Sequence, residues 1–251
     1  MELYITGAGI SSDSGIPTFR GTDGFWTIGS KNYTPKEMAT RTMYKNNPGQ
    51  FLLWYYKRFI KYRNAKPNKV HEYLIDKYLI TQNIDGLDFK AGNKNYIAIH
   101  GNLHKITIYN DQNDIVEVQD APWDYIENEC PDINDNIKLK SILLDVFKVS
   151  KLTLKPEKMK SLKPFVLLFD EFYTDNYKIN KAYDWMNSAT KFIFLGTSFS
   201  VNITAMALEK AINNNAKLEI VDPKPINLNI ENVIYHKMTA LEFIMSKKVN
   251  S

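Results

Sequence analysis

The sequence predicts an α/β fold: a Rossmann-like, doubly wound parallel sheet with a smaller helical and irregular lobe formed by insertions. Three observations predict it. Short apolar runs alternate with helical spacings, as strands joined by crossover helices do. The first run, residues 3–6, ends in Gly7-Ala8-Gly9, a strand-to-glycine turn that favours close backbone approach. Two stretches, about 24–77 and about 104–163, break the alternation and read as insertions. The whole chain, 1–251, reads as one catalytic domain carrying that lobe.

The elements follow in order. Residues 3–6 form a short apolar strand. Thr34-Pro35-Lys36-Glu37 looks like a helix start, with Thr34 as N-cap and Pro35 at the first helical position. Asn46-Asn47-Pro48-Gly49 breaks that helix, and 50–62 reads as a second, aromatic-rich one. Pro67-Asn68 opens a third over 69–77, which leads into a strand at 78–81. Another strand spans 96–100. The runs 164–169 and 191–195 read as strands buried on both faces. Residues 201–213 have helical spacing, 218–221 and 233–235 are the last strands, and Thr239-Ala240-Leu241-Glu242 is a capping box. The stretch 104–163 reads as polar and irregular, and the basic segment 151–163 as an exposed connection.

Composition narrows the function classes. Apolar residues make up 44% and charged residues 24%, an ordinary globular balance. The net charge of +4 is spread along the chain. A nucleic-acid surface would concentrate it in a basic stripe, so no specific nucleic-acid partner is expected. No run approaches the roughly 18 apolar residues of a membrane span, and the first residues do not read as a secretory leader. The one cysteine, Cys130, can form neither an internal disulfide nor a four-thiolate zinc site. A reducing, cytoplasmic setting is expected.

The residues suited to chemistry sit at strand ends. Gly7-Ala8-Gly9-Ile10-Ser11 opens a loop through Ser14-Gly15-Ile16-Pro17-Thr18-Phe19-Arg20-Gly21. Its amides and the following helix start suit a pyrophosphate. Thr81-Gln82-Asn83-Ile84-Asp85-Gly86-Leu87 places amides and a carboxylate at a strand's carboxyl end. His100-Gly101, Gly196-Thr197-Ser198 and Val221-Asp222 end three further strands. Ligands of α/β sheets bind at such ends.

Together these motifs resemble the sirtuins, in order and over nearly the whole chain. The match adds Pro67-Asn68-x-x-His71, Ala91-Gly92, and Pro164-Phe165-Val166-Leu167-Leu168-Phe169-Asp170-Glu171. The resemblance implies an NAD-dependent protein-lysine deacylase that releases nicotinamide and an O-acyl-ADP-ribose. Its partner would be an acylated-lysine protein or peptide. It implies that Gly7, Ala8, Gly9, Ser11, Ile16, Phe19, Arg20, Gln82, Asn83, Asp85, Gly196, Thr197, Ser198, Asp222 and Ala240 hold NAD. Asn83 and Asp85 would grip the carboxamide, with Ile16 and Phe19 walling the nicotinamide pocket. His100 would act as general base with Asn83 beside it, and Phe169 and Glu171 would border the substrate. An unperturbed His titrates near ~6.5, which suits a base at neutral pH.

The chain departs from that pattern at Thr18 (usually Asp), Asp88 (usually His) and Asp170 (usually Gly). The largest departure is the missing pairs of cysteines after His-Gly, so no zinc is expected. Trp123, Tyr125, Ile142, Leu143 and Phe147 are candidates to hold the small lobe by packing. Tyr55 and Arg58 lie one helical turn apart, and sirtuins that remove acidic acyl groups carry a similar pair. Arg can hold a succinyl or malonyl carboxylate with two bonds. Two other classes fit the scaffold: an NAD glycohydrolase or ADP-ribosyltransferase, which the missing metal module favours, and a non-catalytic NAD-binding module. Retention of Asn83 and His100 argues against the last.

Overall fold

The computed structural model describes residues 1–18 and 34–249. Along the chain, β1 (Glu2–Thr6) runs into a 3-10 turn at Ala8–Ser14, and short helices α1 (Pro35–Met38) and α2 (Arg41–Asn46) precede α3 (Pro48–Tyr62), α4 (Lys69–Tyr73) and β2 (Tyr78–Thr81). Next come α5 (Leu87–Lys90), β3 (Tyr96–Ala98), β4 (Gly101–Ile108), β5 (Val118–Asp120), α6 (Trp123–Glu129), α7 (Asn136–Val146) and β6 (Leu162–Val166). The chain continues through α8 (Ile179–Ser188), β7 (Lys191–Leu195), α9 (Asn202–Asn213), β8 (Lys217–Val221), β9 (Val233–His236) and α10 (Ala240–Val249).

Two compact units result. The first comprises 1–21, 65–99 and 178–251, and the second 22–64 and 100–177. These bounds differ from the insertions read at about 24–77 and about 104–163. Helix α4 packs on α10 and so belongs with the first unit, while β6 and the segment after it belong with the second.

In the first unit the described strands form a parallel sheet of six, in the order β3-β2-β1-β7-β8-β9. Leu3, Tyr4 and Ile5 of β1 are all buried, as a strand covered on both faces requires. On one side Tyr4, Leu79, Ile193 and Val221 meet Ile10, Val70, Leu74, Phe243 and Ile244. The final helix starts where its capping box places it: Thr239 N donates to Glu242 Oε2 at 2.7 Å, and Glu242 N to Thr239 Oγ1 at 3.2 Å.

In the second unit β4 lies antiparallel between β5 and β6. This corrects two expectations. The stretch 104–163 is not irregular, because it carries most of β4, all of β5, α6 and α7. The run 164–169 is not a strand of the parallel sheet, because its first residues pair with β4. Both strands were hard to read. A register shift between Gly101 and Ile106 disturbs the alternation of β4, and β5 is exposed throughout. Helix α3 packs on α7, and rings tie α3 to α6 and to the end of α7: Phe59–Trp123 centroids lie 5.2 Å apart and Trp123–Phe147 5.5 Å, with Phe51–Tyr55 at 4.8 Å within α3. Trp123, Leu143 and Phe147 are buried as expected, and Ile142 is half-buried. Tyr125, 55% exposed, is not in this core. It sits on the solvent side of α6.

Candidate functional sites in the two units

The first unit joins the ends of β1, β2 and β7. Gly7 N donates to Leu195 O at 3.1 Å and Gly9 N to Gly196 O at 3.0 Å. A Cβ on Gly9 would stand 2.6 Å from Gly196 Cα, and one on Gly7 2.8 Å from Gly196 O. Only glycine permits backbones this close, and Gly196 also has a φ of +57°. Their crossing leaves the 3-10 turn Ala8–Ser14 at the carboxyl end of the sheet, where α/β ligands bind.

Polar side chains knit this junction. Ser11 Oγ donates to Asp85 Oδ2 at 2.7 Å and accepts from Asn83 Nδ2 at 3.1 Å. Asn83 Nδ2 also lies 3.1 Å from Gly7 O. Gln82 Nε2 donates to Thr197 Oγ1 at 3.0 Å. Asp85 Oδ1 accepts from Leu87 N at 2.9 Å. Burial raises the Asp85 pKa, opposed by the Leu87 amide and the Ser11 hydroxyl. The motif at Pro67 serves the same turn: Asn68 Nδ2 donates to Ile10 O at 2.8 Å and to Ser14 Oγ at 3.0 Å. Buried His71, its pKa lowered to about 4 by desolvation, accepts from Asn68 N at Nδ1.

Several expected cofactor residues belong to this unit. Gly7, Ala8, Gly9, Ser11, Gln82, Asn83, Asp85, Gly196 and Thr197 meet at the junction. Ile16 is buried just beyond the Gly15 cap of the 3-10 turn. Ser198 pairs with Ser200 at 2.8 Å. Asp222 Oδ1 caps its own turn by accepting from Lys224 N at 2.8 Å. Ala240 is buried at the start of α10, which packs on the 3-10 turn. Phe19 and Arg20 lie outside the described residues.

The second unit holds His100. It follows β3 rather than ending it, because β3 stops at Ala98. Its Nε2 lies 3.0 Å from the Tyr173 hydroxyl, with the rings stacked at 13°. Leu167 N donates to His100 O at 2.9 Å. Gly101 has a φ of +84°, and a Cβ there would strike the Phe165 carbonyl, so the His-Gly pair is dictated by the crossing of β4 and β6. Tyr173 had no sequence signal, being one of the chain's 15 tyrosines and outside every motif.

The remaining substrate residues are placed less alike. Phe169 is 44% exposed. Glu171 is buried inside the lobe, 3.0 Å from Arg41 and 3.6 Å from Lys163, and accepts from Leu168 N; these contacts make it a fold-holding group. Tyr55 and Arg58 are both buried on α3. The Arg58 guanidinium lies 3.5 Å over the Trp54 ring and donates to Trp54 O. Burial lowers its pKa to about 9.

The Sir2 family model matches residues 7–203. The NAD-dependent protein deacylase 1 of Caldanaerobacter subterraneus subsp. tengcongensis is 33% identical over 98% of this chain and 91% of its own length. The NAD-dependent protein deacylase of Aquifex aeolicus is 32% identical over 88% of this chain and 83% of its own. A Sir2 homologue solved with ADP-ribose superposes with a TM-score of 0.74 at 27% identity, covering 99% of this chain and 90% of that one. A Sir2 homologue–NAD complex gives 0.73 at 26% identity, covering 100% and 90%.

Proposed function

Because this chain belongs to the Sir2 family, we propose that it moves acyl groups from protein lysines onto NAD, releasing nicotinamide and an O-acyl-ADP-ribose. The observation that carries this reading is the glycine crossing of Gly7, Gly9 and Gly196, with Ser11, Asn83 and Asp85 bonded together beside it. A backbone crossing that only glycine permits, with short polar side chains beside it at the carboxyl end of a parallel sheet, fits a dinucleotide site.

When bound, NAD supplies an electrophilic anomeric carbon and a nicotinamide leaving group. The start of the turn Ala8–Ser14 would face the pyrophosphate, and Asn83 and Asp85 the carboxamide. Ile16 and Phe19 exclude water from the leaving ring. Gln82, Thr197, Ser198, Asp222 and Ala240 would contribute further contacts, and the family resemblance adds Arg20. His100 would serve as the base for a ribose hydroxyl proton, taken onto its imidazole. Tyr173 holds the ring for that step, and Phe169 offers an exposed apolar side chain for the acyl-lysine.

For acyl choice, the reading is a preference for succinyl or malonyl groups, with Tyr55 and Arg58 as their receptor. Its support is the desolvated Arg58, a buried cation that gains most from an incoming carboxylate. Arg58→Met should cost roughly 10–150-fold in kcat/KM on succinyl-lysine, the worth of about 1.5–3 kcal/mol for a charged hydrogen bond. Acetyl-lysine turnover should hold or improve; an equal fall in both would refute the receptor.

The donor set does not fit a four-thiolate zinc site, since Cys130 is the one cysteine. We therefore assign stability of the lobe to its ring packing and ion pairs, such as Lys158–Asp111 at 2.6 Å. The lone buried thiol suits a cytoplasmic protein, and among the described residues no helix is long and apolar enough to cross a membrane. The direct test is mass analysis of products from NAD and an acylated peptide. O-acyl-ADP-ribose is expected; free ADP-ribose with intact acyl-peptide would favour NAD hydrolysis instead.

A further inference from the structure

One buried group in the first unit has no part in the reading above. Asp88, in the first turn of α5, is 2% exposed. Its Oδ1 has no hydrogen-bond partner among the described residues, while the Thr81 hydroxyl bonds to the carboxyl. Thr81 Oγ1 in turn accepts from Asn83 N at 3.2 Å. Asp88 is thus joined through Thr81 to the turn that carries Asn83 and Asp85. An ionised carboxylate with an orphaned oxygen in such a place is costly. A second carboxylate beside it, Asp85, adds repulsion.

We infer that Asp88 is a positioning residue for the turn that carries Asn83 and Asp85: its buried carboxyl holds a proton, and release of that proton strengthens the hold of this turn on a positively charged nicotinamide ring. The inference rests on the proposal that Asp85 faces the carboxamide of NAD. Burial, and after it the charge of Asp85, raise the Asp88 pKa to about 7. Asp85 keeps its charge longer because the Ser11 hydroxyl and the Leu87 amide both donate to it. The proton therefore rests on Asp88 in mildly acidic solution and leaves to solvent as the pH rises.

The other titratable groups around the pair hold their states across that range. His71 on α4, 3.5 Å from Ser11 Oγ, is kept neutral by burial at about 4. Tyr96 on β3 is pushed upward by burial and by both carboxylates, so it stays neutral. Lys90 on α5 is lowered by burial and held up by Asp85, and stays cationic. The change in charge belongs to the carboxyl pair. The cationic ring of NAD should sense it, and the uncharged ring of NADH should not.

The experiment compares two probes at pH 6 and pH 8.5 by calorimetry on the whole chain. One is carba-NAD, cationic and inert at its glycosidic bond; the other is NADH. Carba-NAD affinity should rise about 3–10-fold with pH, as expected for one added charge within several ångströms at a high effective dielectric. NADH affinity should stay flat, and Asp88→Asn should flatten both. An equal pH response of the two probes, or an unchanged response in D88N, would overturn the inference. Carbon-13 NMR of aspartate-labelled protein supplies a second readout that needs neither ligand nor variant. One carboxyl should titrate near neutrality, and its absence would also overturn the inference. Failure of both probes to bind, with that carboxyl present, would instead count against the NAD reading and against the ring-sensing role built on it.

Discussion

The first unit holds its polar groups at the ends of parallel strands, where glycines bring backbones together and leave short side chains to bond across the gap. The second unit holds His100 where two antiparallel strands cross, with the Tyr173 ring stacked against it. In one, position comes from backbone: moving Gly9 moves the whole junction. In the other it comes from side chains: the Tyr173 phenol on Nε2 and the stacked ring orient the imidazole. The lesson is that a group set by backbone fails all at once when its glycine changes, whereas one set by side chains loosens by degrees.

That contrast can be broken or sharpened by mutation. The largest effect is expected at His100. His100→Ala should lower peptide-dependent nicotinamide release by on the order of 10²–10⁴ while leaving the fold intact; near-normal turnover by a folded variant would remove His100 from the chemistry. Next is Gly9→Ala. Its Cβ must displace Gly196, so overpacking should cost about 1–3 kcal/mol of stability and NAD binding should fall with it, read by thermal melting and titration. Tyr173→Phe should act more gently. It removes one hydrogen bond of about 0.5–1.5 kcal/mol, so kcat should drop about 2–10-fold with KM for NAD little changed. The smallest effect expected is none: chelators should leave the melting temperature where it was, and a fall of several degrees would show that metal helps hold the lobe.

The same contrast explains what could be read from the sequence. The parallel sheet was legible because its strands are unbroken apolar runs, and its glycine turn because close approach demands specific residues. Gly101 was legible for the same reason. Most of the second unit was not. Strand β4 carries a register shift that hides its alternation, β5 buries nothing, and α7 buries only Leu139 and Leu143 along its length. Nor could spacing show that Glu171 is enclosed by Arg41 and Lys163, or that Arg58 lies over Trp54, since both depend on three-dimensional packing. Tyr173 lies outside every motif, and Asp88 stood out only as a departure, since no spacing shows that its carboxyl is buried with an orphaned oxygen.

The central proposal is that this chain couples nicotinamide release to acyl transfer from a peptide. The measurement that tests it most directly is nicotinamide release from NAD with and without an acylated-lysine peptide. The account predicts release that depends on the peptide and is lost in H100A. Equal release with and without peptide would contradict it and mark the chain as an NAD glycohydrolase.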